Sequence, residues 1–408
     1  MEKLALLGGK PAKTNPFPAW PQYDQKEEQA LMEVLHSRVW WRTPGTKTLQ
    51  FEQEFAAYQQ TRYGIACTNG TAALEIVMAA LGIGLGDEVI VPDFTFVATA
   101  GAVLFAGAMP VFVDVDPETY CIDVNQIEAA ITPRTRAVIA VHVAGHPADI
   151  DRLQEICRIH NLFLIEDCAH AHGSEWKGRR VGSFGVAGTF SFQASKLMTA
   201  GEGGIVVTNN EDLAVRIRSV HDCGRMPGRW FYAHYMYGSN YRLSEWQGAV
   251  LLQQLSRLDE QAAIRTSNAA FLNRELAKIE GIRPQKLDER VTRHGQYCYI
   301  FHYDRRAFAG LSTEKFIEAL NAEGIPTQAS YPPLHQLDVF TNGEFRRRLL
   351  PEHAACAPDF AKASYPVSQD AAENTIWLVH RTLLGTEEDA AEIAEAVRKI
   401  QRHAKELL

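Results

Sequence analysis

From residue 63 to residue 165 the chain alternates short apolar runs with helical stretches. The runs are YGIACT at 63–68, EVIV at 88–91, PVFV at 110–113, RAVIAV at 136–141 and LFLI at 162–165. Between them the sequence predicts a helix opened by Asn69-Gly70-Thr71 and continued by AALEIVMAALG, then helices over 95–105, 125–131 and 150–160. Strands without polar alternation are covered on both faces, and strands separated by helices run parallel. The expected class is therefore α/β, a large domain with a mainly parallel sheet covered by helices. In such sheets ligands bind beyond the carboxyl ends of the strands. Phe94 and Phe96 fall at one such end, His142 at a second, Glu166 and Asp167 at a third. The glycines of GIGLG at 82–86 precede a strand rather than follow one, so they form a turn and not a dinucleotide fingerprint.

One lysine stands out against this frame. In FSFQASKLMTAGEGGIVVT at 190–208, an apolar strand leads to Lys196, a glycine-rich loop and a second β-branched strand. Gly201, Gly203 and Gly204 let the backbone pass close to a bulky neighbour. An amine held between two buried strands loses its proton more readily and can attack an aldehyde. The sequence thus offers Lys196 for Schiff-base chemistry, set against the plainer reading of an exposed loop lysine.

Two further stretches bear on chemistry. Asn69-Gly70-Thr71 at a helix start is an anion site or a simple cap. EDCAHAH at 166–172 has two readings. One is a metal site, although no second ligand cluster with clear metal spacing and no HxxxH helix motif accompanies it. The other is a buried Asp167 paired with a cationic ring nitrogen, with His170 lying over the ring.

The remaining organisation follows in order. Residues 1–24 are rich in proline and glycine and read as an extended arm, with solvent exposure as the plain expectation and a partner subunit as the alternative. Residues 25–260 form the large domain and 261–408 a smaller α+β domain, the boundary falling in or just after a long helix over 244–276. The adjacent Trp40 and Trp41 read as core. The segment 225–242, RMPGRWFYAHYMYGSNYR, is aromatic and basic. Arg42, His142, Arg225, Tyr331 and His335 are candidates for substrate hydroxyls or a donor carboxylate. The net charge of -8 speaks against nucleic acid or an anionic membrane as a main partner. Seven cysteines without paired spacing suggest reduced thiols and a cytoplasmic protein. No signal peptide and no apolar run of transmembrane length is expected.

FPAWPQYD at 17–24, CTNGTAALE at 67–75, EDCAHAHGS at 166–174, FSFQASKLMTAGEGG at 190–204 and GSNYRLSE at 238–245 together resemble one family. It is the DegT/DnrJ/StrS type of pyridoxal-phosphate (PLP) aminotransferases, of fold-type I, acting on keto-sugars and related rings. The similarity is greatest to the branch holding 3-amino-5-hydroxybenzoate synthase and the scyllo-inosose aminotransferases. The resemblance implies that Lys196 forms the Schiff base and moves the proton, and that Asp167 keeps the pyridine nitrogen protonated. It implies His170 and Phe96 on the two faces of the ring, and Gly70, Thr71, Ser191 and Gln193 on the phosphate. Asn240 would reach the phosphate of a neighbouring subunit, which implies a homodimer with shared sites. Glutamine or glutamate is the implied donor and a keto-sugar or keto-cyclitol the acceptor. The alternative is the dehydration and aromatisation of an aminodehydroshikimate by the same lysine. Ser195 stands where the synthases commonly have glycine, which favours transamination.

Overall fold

A computed structural model describes residues 3–226 and 228–408; Met1 and Glu2 of the arm and Pro227 of the aromatic segment lie outside the described residues. The apolar runs assemble into a seven-stranded sheet. Its spatial order is Tyr63–Cys67, Gly204–Thr208, Ala187–Ser191, Phe163–Asp167, Thr135–Val141, Glu88–Pro92 and Met109–Val113. Every neighbouring pair is parallel except the two made by Gly204–Thr208, which runs antiparallel to both its neighbours. The mainly parallel α/β class is therefore the observed one. Helices cover both faces because the strands are buried on both, as in the fully buried Val138, Ile139, Ile165 and Val206.

The single antiparallel strand has a local cause. Ser191 pairs with Gly204, so the residues between them form the loop of a hairpin rather than a long crossover. Lys196 sits in that loop. A second, four-stranded antiparallel sheet contains Ile282–Pro284, Cys298–Tyr303, Thr375–Val379 and Thr327–Gln328. It has its own apolar core around Phe301, Phe316, Leu378 and Val397, separate from the core of the large sheet. One helix, Glu245–Leu276, runs 32 residues and contributes to both cores.

Several expectations need correction. The helix expected from Thr95 begins at Ala98, which leaves Thr95, Phe96 and Val97 as a connecting turn. The strand expected to end at Ile165 continues through Asp167. Trp40 and Trp41 are not core: they are 50% and 43% exposed. The arm is not free in solvent: it is anchored at a few buried residues, although most of its described residues are half-buried or exposed. Leu4 and Phe17 are buried in the smaller core, Lys13 is paired with Asp389 and Glu392, and Trp20 Nε1 donates to the Ala194 carbonyl at 3.0 Å. The arm thus reaches the lysine loop of its own chain. All seven cysteines are free thiols. Among the described residues no helix is long and apolar enough to cross a membrane.

Candidate active site

Lys196 is presented by a tight turn anchored on both sides. Phe190 and Phe192 pack edge-on against Phe55, with centroids 5.1 and 5.4 Å away, and Leu197 and Met198 are buried. The Lys196 N–H donates to the Gln193 carbonyl at 2.8 Å, and the Phe192 N–H to the Gly203 carbonyl at 2.7 Å. The flanking residues are held by the core, so the lysine between them must point into the space beyond the sheet. That space is a cavity of about 640 Å³.

Eight of the nine residues singled out from the sequence line it: Gly70, Thr71, Phe96, Asp167, His170, Ser191, Gln193 and Lys196. Asn240 does not; it is exposed, while its neighbour Tyr241 lines the cavity. Of the five candidate substrate contacts, Tyr331 alone lines it. Arg42 is bonded to Glu52 at 2.7 Å, Arg225 to Asp222 at 3.0 Å, His142 to Glu166 at 3.2 Å and His335 to Asp93 at 2.7 Å.

Asp167 closes a parallel strand, and successive side chains on a strand face opposite ways. Asp167 therefore faces the cavity and Glu166 the fold. Both oxygens of Glu166 are engaged there, accepting from the N–H groups of Gly182, Phe184 and Gly185, each at 2.7 Å. Donor atoms of His142, Glu166 and Cys168 lie within 4.8 Å of one another. Yet His142 Nδ1 accepts from the Ala148 N–H at 3.0 Å while its other nitrogen faces Glu166. These contacts tie the strand end to the loops below it.

Asp167 itself accepts from Thr99 Oγ1 at 3.0 Å and the Ala169 N–H at 3.2 Å. Burial outweighs these bonds and raises its pKa. A buried carboxylate in this state gains from a cation placed against it. Burial pushes the Lys196 amine down to about 8, only partly offset by the neighbouring Asp167 carboxylate. Burial, reinforced by Lys196, also lowers His170, so its imidazole is neutral.

The start of the helix Gly70–Leu81 also lines the cavity. Asn69 caps it, its side chain accepting from the Ala72 N–H at 2.8 Å. Helix geometry leaves the first N–H groups, Gly70 and Thr71, without intrahelical acceptors, and the dipole favours an anion there. Gly70 is forced by proximity: a Cβ on it would stand 2.7 Å from Ser191 Cβ. Likewise a Cβ on Gly204 would meet the Asn69 carbonyl at 2.3 Å. The helix start and the strand end before the lysine are thus pressed together into one cradle. An anion cradle, a single depressed amine and a cation-seeking carboxylate share one cavity, and this set fits pyridoxal phosphate.

The chain matches the model of the DegT/DnrJ/EryC1/StrS aminotransferase family over residues 21–398. It belongs to that family. This aminotransferase is 41% identical to the L-glutamine:2-deoxy-scyllo-inosose aminotransferase of Streptoalloteichus tenebrarius, over 99% of both chains. It is 39% identical to the 3-amino-5-hydroxybenzoate synthase of Amycolatopsis mediterranei, over 94% of this chain and 97% of the other. A crystal structure of a 3-amino-5-hydroxybenzoic acid synthase superposes with a TM-score of 0.87 at 39% identity, covering 95% of this chain and 99% of that one.

The aminotransferase cavity also contains Thr99, Tyr297 and Gln328, which sequence reasoning missed, and Ser195, which it weighed only as a mark of the branch. Tyr297 stacks on His170 with centroids 4.1 Å apart, lies 4.3 Å from Lys196 Nζ, and bonds Ser195 Oγ at 3.0 Å. No sequence signal marked it, because its contact is with a loop a hundred residues earlier in the chain.

Proposed function

We propose that this aminotransferase uses pyridoxal phosphate to move the amino group of glutamine to the ketone of a sugar or cyclitol ring. The observation that carries the reading is one amine, brought down to about 8, sharing a cavity with the buried carboxylate of Asp167. When bound, the cofactor supplies an electron sink that makes the donor's α-proton removable. Lys196 holds the cofactor covalently and, once released, takes that proton as base and returns it as acid. Asp167 pairs with the protonated ring nitrogen. His170 and Phe96 flank the ring, while Gly70, Thr71, Ser191 and Gln193 hold the phosphate. Asn240, exposed and outside its own cavity, reaches the phosphate of a second copy, so the protein works as a homodimer. The enzyme acts in the cytoplasm, and glutamate is the second donor to test.

The same proposal keeps an arm at 1–24, a large domain at 25–260 and a small domain at 261–408. The smaller apolar core supports that division, since apart from Leu4 and Phe17 of the arm it draws only on residues beyond 260, while Val291, Ile300 and Trp377 of the small domain pack into the larger core.

A second reading, aromatisation of an aminodehydroshikimate, is favoured by the likeness to the synthase structure. The visible spectrum of the cofactor-loaded protein separates the two. Conversion of the absorbance by glutamine, and its return on adding 2-deoxy-scyllo-inosose, supports transamination. A band that ignores glutamine and glutamate, with turnover of aminodehydroshikimate, supports the synthase reading. No band at all would overturn both.

A further inference from the structure

Tyr331 presents its hydroxyl to the cavity, 3.1 Å from Nε2 of His170. The direction of that bond is set on the far side of the imidazole. There the Ala144 N–H donates to Nδ1 at 3.4 Å, so Nδ1 is an acceptor and carries no proton. The ring is neutral, because burial and the charge of Lys196 hold its pKa well below the ordinary value. A neutral imidazole has one N–H, which here must lie on Nε2. His170 therefore donates and Tyr331 accepts. The phenol keeps its own proton, since burial drives its pKa well above the ordinary value. That proton cannot go back to His170.

The hydroxyl is rigidly carried. Three residues on, the Leu334 N–H donates to the Asp93 carbonyl at 2.7 Å, and the His335 N–H to Asp93 Oδ1 at 2.9 Å. The His335 ring bonds the other carboxylate oxygen at 2.7 Å, deep in the core. The tyrosine ring is walled by Phe94, Phe96 and Trp377, with centroids 6.4, 6.0 and 5.2 Å away. A neutral donor set between aromatic faces does not by itself compensate a carboxylate's charge. It does suit a neutral ring oxygen whose carbons pack on the aromatic faces.

We propose that Tyr331 is a specificity residue for the acceptor, donating a hydrogen bond from its hydroxyl to an oxygen of the ring ketone or polyol. The assignment rests on the transaminase reading given above. It predicts that a ring lacking the oxygen leaves the phenol proton unpaired, the situation in which hydrogen-bonding sites discriminate most strongly.

The test uses Tyr331→Phe in the cofactor-loaded protein, following the two half-reactions separately by absorbance. Amination by glutamine should stay within about twofold of wild type, whereas kcat/KM for 2-deoxy-scyllo-inosose should fall by about tenfold, as for loss of one hydrogen bond to a buried group. An equal loss in both half-reactions, or none in the second, would overturn the assignment, because a tyrosine that only braces His170 affects both alike. A wild type that does not respond to glutamine would sink the transaminase reading instead, and Tyr331 with it. Independently of activity, nitrogen NMR of histidine-labelled apo protein, assigned through His170→Asn, should show the proton of His170 on Nε2. A proton on Nδ1 would reverse the bond and overturn the proposal.

Discussion

Thr99 donates its hydroxyl proton to Oδ2 of Asp167 at 3.0 Å, from a helix that begins only after the cavity-lining Phe96 has passed. This bond favours the ionised carboxyl, in a place where burial favours the neutral one. Thr99→Val removes it at nearly constant shape. Cofactor affinity should weaken by about 1 kcal/mol, roughly fivefold, as measured by equilibrium dialysis. Unchanged affinity would show that the hydroxyl does not support the carboxylate.

Asp167→Asn keeps the shape of the site but cannot hold a ring nitrogen protonated. Cofactor should still bind, while turnover falls by at least about a hundredfold. Steady-state rates on loaded protein decide this, and a rate close to wild type would remove Asp167 from the chemistry.

Lys196→Ala deletes the amine. The phosphate cradle and ring contacts remain, so partial cofactor retention is expected on gel filtration, with loss of the covalent absorbance band and of transamination. Transamination that survives in this variant contradicts the central assignment.

Gly70→Ala places a methyl group 2.7 Å from Ser191 Cβ. The helix start must then retreat from the strand end. Affinity for pyridoxal phosphate should drop by about tenfold or more, with a smaller change for pyridoxal, which lacks the phosphate. Equal losses for both ligands would argue against an anion cradle at this helix.

The pH dependence follows from Lys196. Its amine is brought from 10.5 to about 8 by burial, and only the neutral amine attacks an aldehyde. The rate at which apo protein captures pyridoxal phosphate should rise about tenfold per pH unit below 8 and level off above it. A rate still climbing at pH 10 would mean an ordinary lysine. The linkage has a definite sign. The unfolded chain holds this proton more tightly, so the penalty is full below about 8 and is relieved as pH rises toward 10.5. Apo stability should gain across that window in wild type relative to Lys196→Met.

Much of this site was legible before folding because it sits where strands end. Asp167, Ser191 and the Asn69-Gly70 turn each follow or close an apolar run, and parallel sheets gather such ends on one side. Other features were not legible. The tryptophans at 40 and 41 looked like core from their size, yet hydrophobicity alone does not say which face of a segment meets the sheet. The arm looked free because proline and glycine give no periodicity. Its anchors, Leu4, Phe17 and Lys13, are single residues whose partners lie hundreds of positions away.

The sequence by itself determined the α/β class, the succession of strands and helices along the large domain, the Schiff-base lysine candidate and the residues at the strand ends. These depend on local patterns of burial and on turn chemistry, which are written within a few residues. Only the tertiary structure decided that Gly70 lies against Ser191, that Trp20 holds the lysine loop, and that Tyr297 and Tyr331 meet His170. Those contacts join segments up to 174 residues apart. They arise from how elements distant in the chain pack against one another, which no local pattern encodes.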